Sequence, residues 1–363
     1  MKVGIITFHA SHNYGSMLQA YALQQTVLAL GHECEIINFR TARQKKIFRP
    51  FLLKNGWRGL AKALIYPNLA INDLKKHHNF EKFIQNYMSL SPLCHNHEEL
   101  ERIATSYDFF ISGSDQIWNT GCWDFETAYF LDFVSNRRKI AYAPSMGPYA
   151  FYDIPSSTHE SIKEKICDYN YISAREPDTA KMIKNISGLD ASVVIDPTFL
   201  LSPKHWSKIA GEKPLINSDY ILLYTPWFEK HRNLYTEAAR IAKKKNIKII
   251  CTLSDGYREC HKFPKFEYFT AVGPIEFLNL IKHARGVLCG SFHAVVFSII
   301  FAKPFYAHEG LEDSRISHLL KLTGLENCAE TPDDIIVHDF TKVQEQLGAF
   351  IESSRSFLKE ALI

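Results

Sequence analysis

The first forty residues contain two apolar strands separated by one helix, and this pattern constrains the fold more than any other feature. "KVGIITF", residues 2–8, is a continuous apolar run that predicts a strand covered on both faces. The helical pattern "SMLQAYALQQTVLAL" follows at residues 16–30, and a second strand, "ECEIINF", occupies residues 33–39. This order predicts a βαβ unit and therefore a parallel sheet.

The pattern continues in two series along the chain. Further strands are predicted at "DFFISGS", "KIAYAPS", "YNYISAR" and "SVVIDPTFL", and a second series opens at "DYILLYTP". The polar stretch 202–218, with two prolines, is typical of an interdomain linker. At 363 residues, the chain is long enough for two domains. We predict an α/β protein with two Rossmann-like domains, residues 1–205 and 206–363, whose C-terminal helix can return to the first domain.

Composition narrows the class of protein. The chain is 46% hydrophobic and 22% charged, as soluble globular proteins are. Its net charge of +3 gives no general affinity for nucleic acid. The eight cysteines occur singly, which predicts reduced thiols and neither a zinc site nor a disulfide framework. Because no signal peptide and no membrane-length apolar run is recognisable, we expect a cytoplasmic protein.

One segment departs from the strand and helix pattern. Residues 40–76 carry ten lysines and arginines but a single acid, Asp73, and aromatic and leucine residues are interleaved with them. One interpretation is a solvated surface excursion whose apolar residues pack on the domain. The other is a basic amphipathic patch that contacts an anionic membrane at its surface. The small net charge indicates that any such contact is local.

Ligands of open parallel sheets bind beyond the carboxyl ends of the strands, so polar clusters at those ends are the candidate binding sites. The cluster "HASHNYGS", residues 9–16, has one glycine where a dinucleotide fingerprint needs three. The second strand also ends without the acid that holds a ribose. Both features argue against a nicotinamide-dependent enzyme.

The cluster "ISGSDQIWN", residues 111–119, ends an apolar strand with Asp115, Gln116 and Trp118. A carboxylate, an amide and an indole together are typical of a carbohydrate subsite, in which the indole stacks on a sugar face. A capped turn with Trp118 in the core is the alternative. The sequence leaves both interpretations open.

Two further clusters follow strands. In "YISAREPDTA", Arg175 directly follows a strand, and its planar fork suits a carboxylate or a phosphate. An ion pair with Glu176 or another acid is the competing explanation. In "VVIDPTFLL", Asp196 is expected to form a structural turn.

The stretch "GVLCGSFHA", residues 286–294, predicts a short strand, a turn and the start of an apolar helix. Ser291 is the expected N-cap, and His293 lies in the first helical turn. His293 is either a structural, hydrogen-bonded histidine or an acid or base at a helix N-terminus, where backbone N–H groups also attract anions.

In this order, the segments resemble the polysaccharide pyruvyl transferase family. The matching stretches include "NYGSMLQAYALQ", "FFISGSDQIWN", "ISARE", "VVIDPTFLL" and "GSFHA", and they extend from residue 13 to residue 325. No single stretch is diagnostic, but their joint order is specific. The basic residues 40–76 lie outside the resemblance.

The resemblance implies an enzyme with two Rossmann-like domains facing a cleft, as in GT-B glycosyltransferases. Such an enzyme transfers pyruvate from phosphoenolpyruvate to two hydroxyls of a sugar, forms a cyclic ketal and releases phosphate. The acceptor is expected in a bacterial exopolysaccharide, capsule or cell-wall precursor, and a lipid-linked form would place the enzyme at the inner face of the membrane. Apart from phosphoenolpyruvate as co-substrate, we expect no cofactor, and no metal, since an arginine and a helix end offset the donor's charge.

The resemblance also assigns roles to residues. His293 matches the family's general acid, and Arg175 matches an arginine that binds phosphoenolpyruvate. Some members have an "SRLH"-like order at the histidine, whereas Gly290, Ser291 and Phe292 precede it here. We therefore expect a second cationic donor contact elsewhere, and Arg315 in "SRISHLL" is the candidate. The expected set is completed by three donor contacts, four acceptor contacts and one base: Ser291, Phe292 and Arg315; Asn13, Tyr14, Gln116 and Trp118; and Asp115.

Two other function classes remain open at this stage. A GT-B glycosyltransferase would use a similar architecture with a nucleotide-sugar donor. An inert carbohydrate-binding relative would bind glycan and consume neither donor. Release of phosphate from phosphoenolpyruvate, or of a nucleoside diphosphate from a nucleotide-sugar, separates the three.

Overall fold

The computed structural model describes residues 1–54, 56–147, 156–253, 263, 266–332 and 339–363. The chain divides into two compact units. The first comprises Met1–Arg49, Ile84–Leu201 and Gly348–Ile363, and the second comprises Pro50–Phe83 and Ser202–Leu347. Each unit is built on its own parallel sheet with helices in the connections, so both are Rossmann-like.

The first unit has a six-stranded sheet in the spatial order β2-β1-β3-β4-β5-β6, and its strand pairs are parallel. The strands are β1 (Lys2–Ile6), β2 (Glu33–Ile36), β3 (Phe109–Asp115), β4 (Arg138–Pro144), β5 (Tyr171–Ala174) and β6 (Ser192–Val193). β1 is an interior strand, because Ile5 pairs with Ile36 of β2 on one side and with Ile111 of β3 on the other. Its continuous apolar sequence follows from burial on both faces.

The connections of the first unit are mainly helical. They are α1 (Tyr14–Ala29), α2 (Ala42–Phe48), α6 (His97–Ala104), α7 (Ser156–Cys167) and α8 (Pro177–Ser187), with 3-10 turns at Thr127–Phe130 and Pro197–Leu200. α1 is buried along most of its length. The side-chain oxygen of Asn13 caps it by accepting hydrogen bonds from the backbone N–H groups of Gly15 and Ser16.

The second unit has a five-stranded parallel sheet in the order β11-β10-β7-β8-β9. Its strands are β7 (Tyr220–Thr225), β8 (Lys248–Leu253), β9 (Phe266–Phe269), β10 (Gly286–Cys289) and β11 (Phe305–Ala307). Its helices are α3 (Phe51–Lys54), α4 (Gly56–Ile65), α5 (Pro67–Tyr87), α9 (Pro203–Ala210), α10 (Arg232–Lys245), α11 (Pro274–His283), α12 (Phe292–Ile300) and α13 (Ser314–Thr323), with a 3-10 turn at Glu326–Ala329. α5 and the C-terminal helix α14 (Phe340–Ala361) each extend across a unit boundary.

The division into units differs from the sequence prediction at two places. Pro50–Phe83 belongs to the second unit, where the Asn79 amide donates to the backbone oxygen of Ala271 at 3.0 Å. The boundary in the middle of the chain lies between Leu201 and Ser202, not after residue 205. The end of α14 belongs to the first unit, where the Ser354 hydroxyl accepts a hydrogen bond from the backbone N–H of Ile195 at 2.9 Å.

Gly113 is a point of very close approach inside the first sheet. Its φ is +133°, and a Cβ at this position would lie 1.9 Å from the backbone oxygen of Tyr142 in β4. No side chain fits there, because the obstructing atom belongs to the backbone of a central strand. This glycine therefore sets the path of the chain into Ser114 and Asp115.

We expect Gly113→Ala to lower the free energy of unfolding strongly. The cost should exceed the roughly 1–2 kcal/mol of a left-handed L-residue, since a backbone overlap is added to it. Gly188→Ala is the matched control, because Gly188 also has a positive φ of +78° but nothing within 4 Å of an added Cβ. Urea unfolding of both variants measures the difference, and equal losses would show that the overlap at Gly113 is relieved.

Candidate functional site

Asp115 lies at the carboxyl edge of the first sheet, where the loops after β1 and β3 meet. Its Oδ2 accepts a hydrogen bond of 2.6 Å from the hydroxyl of Ser16, in the first turn of α1. Its Oδ1 accepts one of 2.8 Å from the backbone N–H of Gln116. Asp115 is buried and has a φ of +79°, a conformation that costs energy and often marks functional sites.

Arg175 lies at the centre of a buried group of acids, which we call the arginine hub: Arg175, Asp115, Glu176 and Asp196. Nη1 of the arginine lies 3.3 Å from Asp196 and 3.7 Å from Asp115, and its Nε lies 3.5 Å from Glu176. All four residues are buried. The structure thus brings together residues from three separate sequence clusters.

The hub bears on the predicted donor role of Arg175. One guanidinium faces three carboxylates, so an arriving anion would meet an excess of negative charge. Glu176 is held in addition by hydrogen bonds from the hydroxyls of Ser145 and Thr179. The ion pairs named as the competing explanation are present, and the donor role stays a prediction.

Trp118 is a core residue and not a sugar platform. Its exposed fraction is 0%, and its ring stacks on Phe130 with a centroid distance of 4.9 Å. The indole N–H donates to the hydroxyl of Ser112 and to the backbone oxygen of Tyr129, at 3.2 Å in each case. The sugar-stacking interpretation is therefore wrong for this residue, because both faces of the indole are covered by protein.

The other predicted acceptor residues differ in accessibility. Tyr14 is buried at the start of α1. Asn13 is exposed, but its side-chain oxygen is the helix cap described above. Gln116 is half-buried, and its side-chain oxygen accepts a hydrogen bond from the amide of Asn119 at 3.1 Å. Asn13 and Gln116 thus have surface available, and Tyr14 does not.

An aromatic group at the same edge was missed by the sequence analysis. Phe48 packs between His12, at 5.1 Å between ring centroids, and Trp123, at 5.4 Å. Trp123 has an exposed fraction of 36%. Gln44 of α2 holds the neighbouring loop by donating to the backbone oxygen of Asp124 at 3.3 Å. The available signal was an aromatic residue beside an acid, "CWDFE", in the loop that follows β3.

Asp124, next to this exposed indole, is a buried acid with an altered proton affinity. Burial raises the pKa of its carboxyl to about 7, Asp115 and Glu126 add to the rise, and Arg43 opposes it. A carboxyl that titrates near neutrality can exchange a proton with a substrate hydroxyl.

His293 occupies the predicted place in the second unit. It lies in the first turn of α12, immediately beyond the carboxyl end of β10, and has an exposed fraction of 7%. Its ring lies edge-on to that of Phe292 at 5.1 Å. Ser291 is the N-cap by backbone conformation, but its hydroxyl makes no capping hydrogen bond, unlike the expectation.

Arg315 directs its fork at an acid of its own helix start. Its Nε donates to one oxygen of Asp313 at 2.9 Å, and its Nη2 donates to the other. This bidentate pair uses the geometry that would bind a donor carboxylate or phosphate. The predicted second cation is therefore engaged by Asp313.

The segment 40–76 exposes an apolar surface on the helix α4. Trp57, Leu60 and Leu64 recur at helical spacing, and the exposed fractions of Trp57 and Leu64 are 74% and 84%. The guanidinium of Arg58 lies 5.6 Å from the centre of the Trp57 ring. The side chains of Phe51, Lys54 and Lys62 lie outside the described residues. Among the helices that the structure describes, none has the length and apolar character needed to cross a bilayer.

Comparison with protein families tests the resemblance found in the sequence. The model of the family described as polysaccharide pyruvyl transferase matches residues 13–307. The chain belongs to this family. The matched range spans the arginine hub, Asp124 and His293, and also residues 40–76, which the resemblance in the sequence did not include. No curated protein matches the sequence.

Solved structures with a similar fold include two UDP-N-acetylglucosamine 2-epimerases and a UDP co-structure. A putative UDP-N-acetylglucosamine 2-epimerase from Listeria monocytogenes has a TM-score of 0.56 at 10% identity, over 99% of this chain and 90% of that one. The S. aureus MnaA-UDP co-structure gives 0.54 at 12% identity, over 99% and 90%. The UDP-GlcNAc 2-epimerase of Methanocaldococcus jannaschii gives 0.52 at 14% identity, over 98% and 94%. At these identities the likeness establishes the GT-B-type fold of this pyruvyl transferase family member.

We expect Arg175→Lys to lower the free energy of unfolding. A lysine keeps the charge but cannot contact three carboxylates at once, and loss of a buried ion pair costs about 3–5 kcal/mol. Arg285→Lys is the control, since Arg285 forms an exposed pair with Asp219. Thermal unfolding measures both variants. Unchanged stability together with a raised KM for phosphoenolpyruvate would restore the donor role of Arg175.

We expect Asp124→Asn to gain stability relative to the natural protein as the pH rises. The folded protein keeps the Asp124 proton up to a pKa of about 7, whereas the ordinary value is 3.8, so ionisation opposes folding between these values. Between pH 5 and pH 8 this gain should grow by about 3 kcal/mol, since the folded protein keeps the proton over about two pH units of that range and each unit corresponds to about 1.4 kcal/mol. Denaturant unfolding at pH 5 and pH 8 tests this, with the exposed Asp190→Asn as control. Parallel curves for both variants would contradict a raised pKa.

Proposed function

We propose that this family member transfers a pyruvyl group from phosphoenolpyruvate to two hydroxyls of a sugar and releases phosphate. The observation that carries the proposal is the position of His293, in the first turn of a helix at the carboxyl edge of the second sheet and within the family match. Ligands of such sheets bind at this edge. Histidine is the usual side chain for proton transfer near neutral pH.

The chemistry requires one acid and one base in its first step. The first sugar oxygen bonds to the central carbon of the enol phosphate, while His293 protonates the methylene carbon. The proton of the attacking hydroxyl passes to a carboxylate. In the second step the other hydroxyl displaces phosphate, and its proton leaves with the phosphate. Exchange through solvent then returns the proton held by the carboxylate to His293, so that both residues recover their starting states.

We assign the base role to Asp124 as an alternative to Asp115. Both oxygens of Asp115 already accept hydrogen bonds, from Ser16 and from the backbone of Gln116, and Asp115 also faces Arg175. Asp124 has a pKa of about 7, raised chiefly by burial, and lies beside the exposed Trp123. Trp123 takes over the stacking role first considered for Trp118, with Asn13 and Gln116 available for sugar hydroxyls.

Incubation with phosphoenolpyruvate and a panel of galactose, glucose and N-acetylmannosamine acceptors tests the reaction. We expect release of inorganic phosphate and a pyruvyl ketal detectable by mass spectrometry. Release of a nucleoside diphosphate from nucleotide-sugars, without phosphate from phosphoenolpyruvate, would instead identify a glycosyltransferase. Binding of glycan with turnover of neither donor would identify an inert relative.

We expect His293→Ala to abolish most turnover while the protein remains folded. Loss of general acid catalysis costs about 10²- to 10⁴-fold in rate. The measurement is kcat for phosphate release, with circular dichroism as the folding check. His205→Ala, a change at a half-buried histidine of α9 in the same unit, is the control. Turnover near the natural rate in a folded His293 variant would remove this residue from the mechanism.

We further propose that the acceptor is lipid-linked and that residues 40–76 contact the anionic membrane surface. The support is the exposed apolar face of α4, together with ten basic residues and one acid in the segment. Each lysine or arginine near such a surface contributes roughly 1 kcal/mol. Apolar side chains such as Trp57 add an interfacial contribution.

Replacement of Lys45, Lys46 and Arg49 by glutamine should weaken salt-sensitive binding to anionic vesicles. Activity on a free oligosaccharide should survive, and activity on a lipid-linked acceptor should fall. Glutamine at Lys243, Lys244 and Lys245, the basic last turn of α10, is the matched control because it removes the same charge from another surface. If the natural protein binds no anionic vesicles at low salt, the segment is only a solvated surface.

A further inference from the structure

Three basic side chains of the second unit surround one carboxylate. Nζ of Lys230 lies 3.6 Å from Oε2 of Glu309, and Nε2 of His231 lies 3.7 Å from the same oxygen. Nε2 of His308 lies 3.7 Å from Oε1. Lys230 and His231 follow β7, whereas His308 and Glu309 follow β11. We call these four residues the Glu309 cluster.

The cluster adjoins the turn that carries His293. β10 lies between β7 and β11, so the three strands end at the same edge of the sheet. The ring of His231 lies against Gly290, where an added Cβ would be 2.6 Å from Nδ1. Nδ1 also forms a hydrogen bond with the hydroxyl of Thr225, at the end of β7. These contacts fix the ring with its Nε2 toward Glu309.

Glu309 is held loosely in this cluster. Its three distances to the basic nitrogens are all longer than a hydrogen bond, and its side chain is about one third exposed. Its backbone has a φ of +53°, which is uncommon for a residue with a side chain. A partly exposed carboxylate at such distances can be exchanged for another anion at small cost.

A binding site for phosphoenolpyruvate needs a cation, and the donor contacts predicted from the sequence do not supply one. Arg175 faces three acids in the hub, and Arg315 directs its fork at Asp313. Ser291 and Phe292 precede His293, where some family members have an arginine. The basic residues of the Glu309 cluster are in the same unit as His293 and at the same sheet edge. Among the residues that the structure describes, no group of three histidines, cysteines or acids is arranged to hold a metal ion.

We propose that Lys230, His231 and His308 bind the anionic phosphate or carboxylate of phosphoenolpyruvate, and that Glu309 occupies this place until the donor replaces it. The inference rests on the proposed function for the identity of the donor. It adds the site that takes the donor's charge and the internal anion with which the donor competes.

Binding of the donor at this site is coupled to uptake of protons by the two histidines. Burial lowers the pKa of His231 to about 4, and Glu309 and Asp313 oppose this, while Lys230 and His308 add to it. Burial also lowers the pKa of His308, which faces Lys230 and the acids Glu309, Glu312 and Glu237. A phosphate carries more negative charge than the carboxylate it replaces, so it raises the pKa of both imidazoles. Phosphoenolpyruvate should therefore bind more tightly at pH 6 than at pH 8.

Calorimetric titration of phosphoenolpyruvate into three variants tests the exchange. Lys230→Gln should weaken binding about tenfold, the factor that 1.4 kcal/mol represents. Glu309→Gln should strengthen it, because the competing anion is removed. Lys245→Gln, at an exposed position in the last turn of α10, is the control and should leave binding unchanged. Inorganic phosphate and pyruvate, titrated separately, identify which end of the donor the cluster holds.

The two changes of opposite sign keep the test decisive. Weaker binding in Glu309→Gln would show that Glu309 supports the donor, and would overturn the exchange. Unchanged binding in Lys230→Gln would overturn the site itself, while phosphate release by the natural enzyme would leave the proposed function intact. Phosphate binding that depends on Lys230, without turnover of phosphoenolpyruvate, would support the anion site and overturn the proposed reaction.

Discussion

The arginine hub is the interaction on which the first unit depends most. Arg175 at the end of β5 contacts Asp115 at the end of β3 and Asp196 in the turn after β6, so one guanidinium joins three strand ends. Asp115 then anchors the start of α1 through Ser16, and Glu176 is tied to Ser145 after β4. Each buried carboxylate is tolerable only because the arginine and these hydroxyls compensate its desolvation. The whole carboxyl edge is consequently one electrostatic unit.

The carboxyl edges of the two sheets carry different charged groups, and each set of groups suits a different kind of ligand. The first edge combines acids with an exposed indole and carries no surplus of cations near Asp115 in the described contacts. The second edge has Lys230 and the imidazoles of His231 and His308 beside Glu309, and also His293. Neutral polyols suit the first edge, because carboxylates accept hydrogen bonds from hydroxyls. Anions suit the second.

Local sequence patterns predicted the features that depend on residues close together in the sequence. The apolar runs of β1, β3 and β10 identified the parallel sheets, and the position of His293 followed from the strand and turn before its helix. Contacts between segments far apart in the sequence could not be predicted, because no local pattern indicates them. Burial of Trp118 depends on Phe130 and Tyr129, and the partners of Arg175 come from three loops. The assignment of residues 50–83 to the second unit depends likewise on long-range packing.

The contact between Gly290 and His231 has a consequence for how the sequence of this family can vary. The imidazole fills the space into which any side chain at position 290 would project, although the two positions are 59 residues apart in the sequence. A relative with alanine at position 290 must therefore have a smaller or displaced side chain at position 231. The two positions should covary among homologues, and the turn before His293 can diversify only when the loop after β7 changes with it.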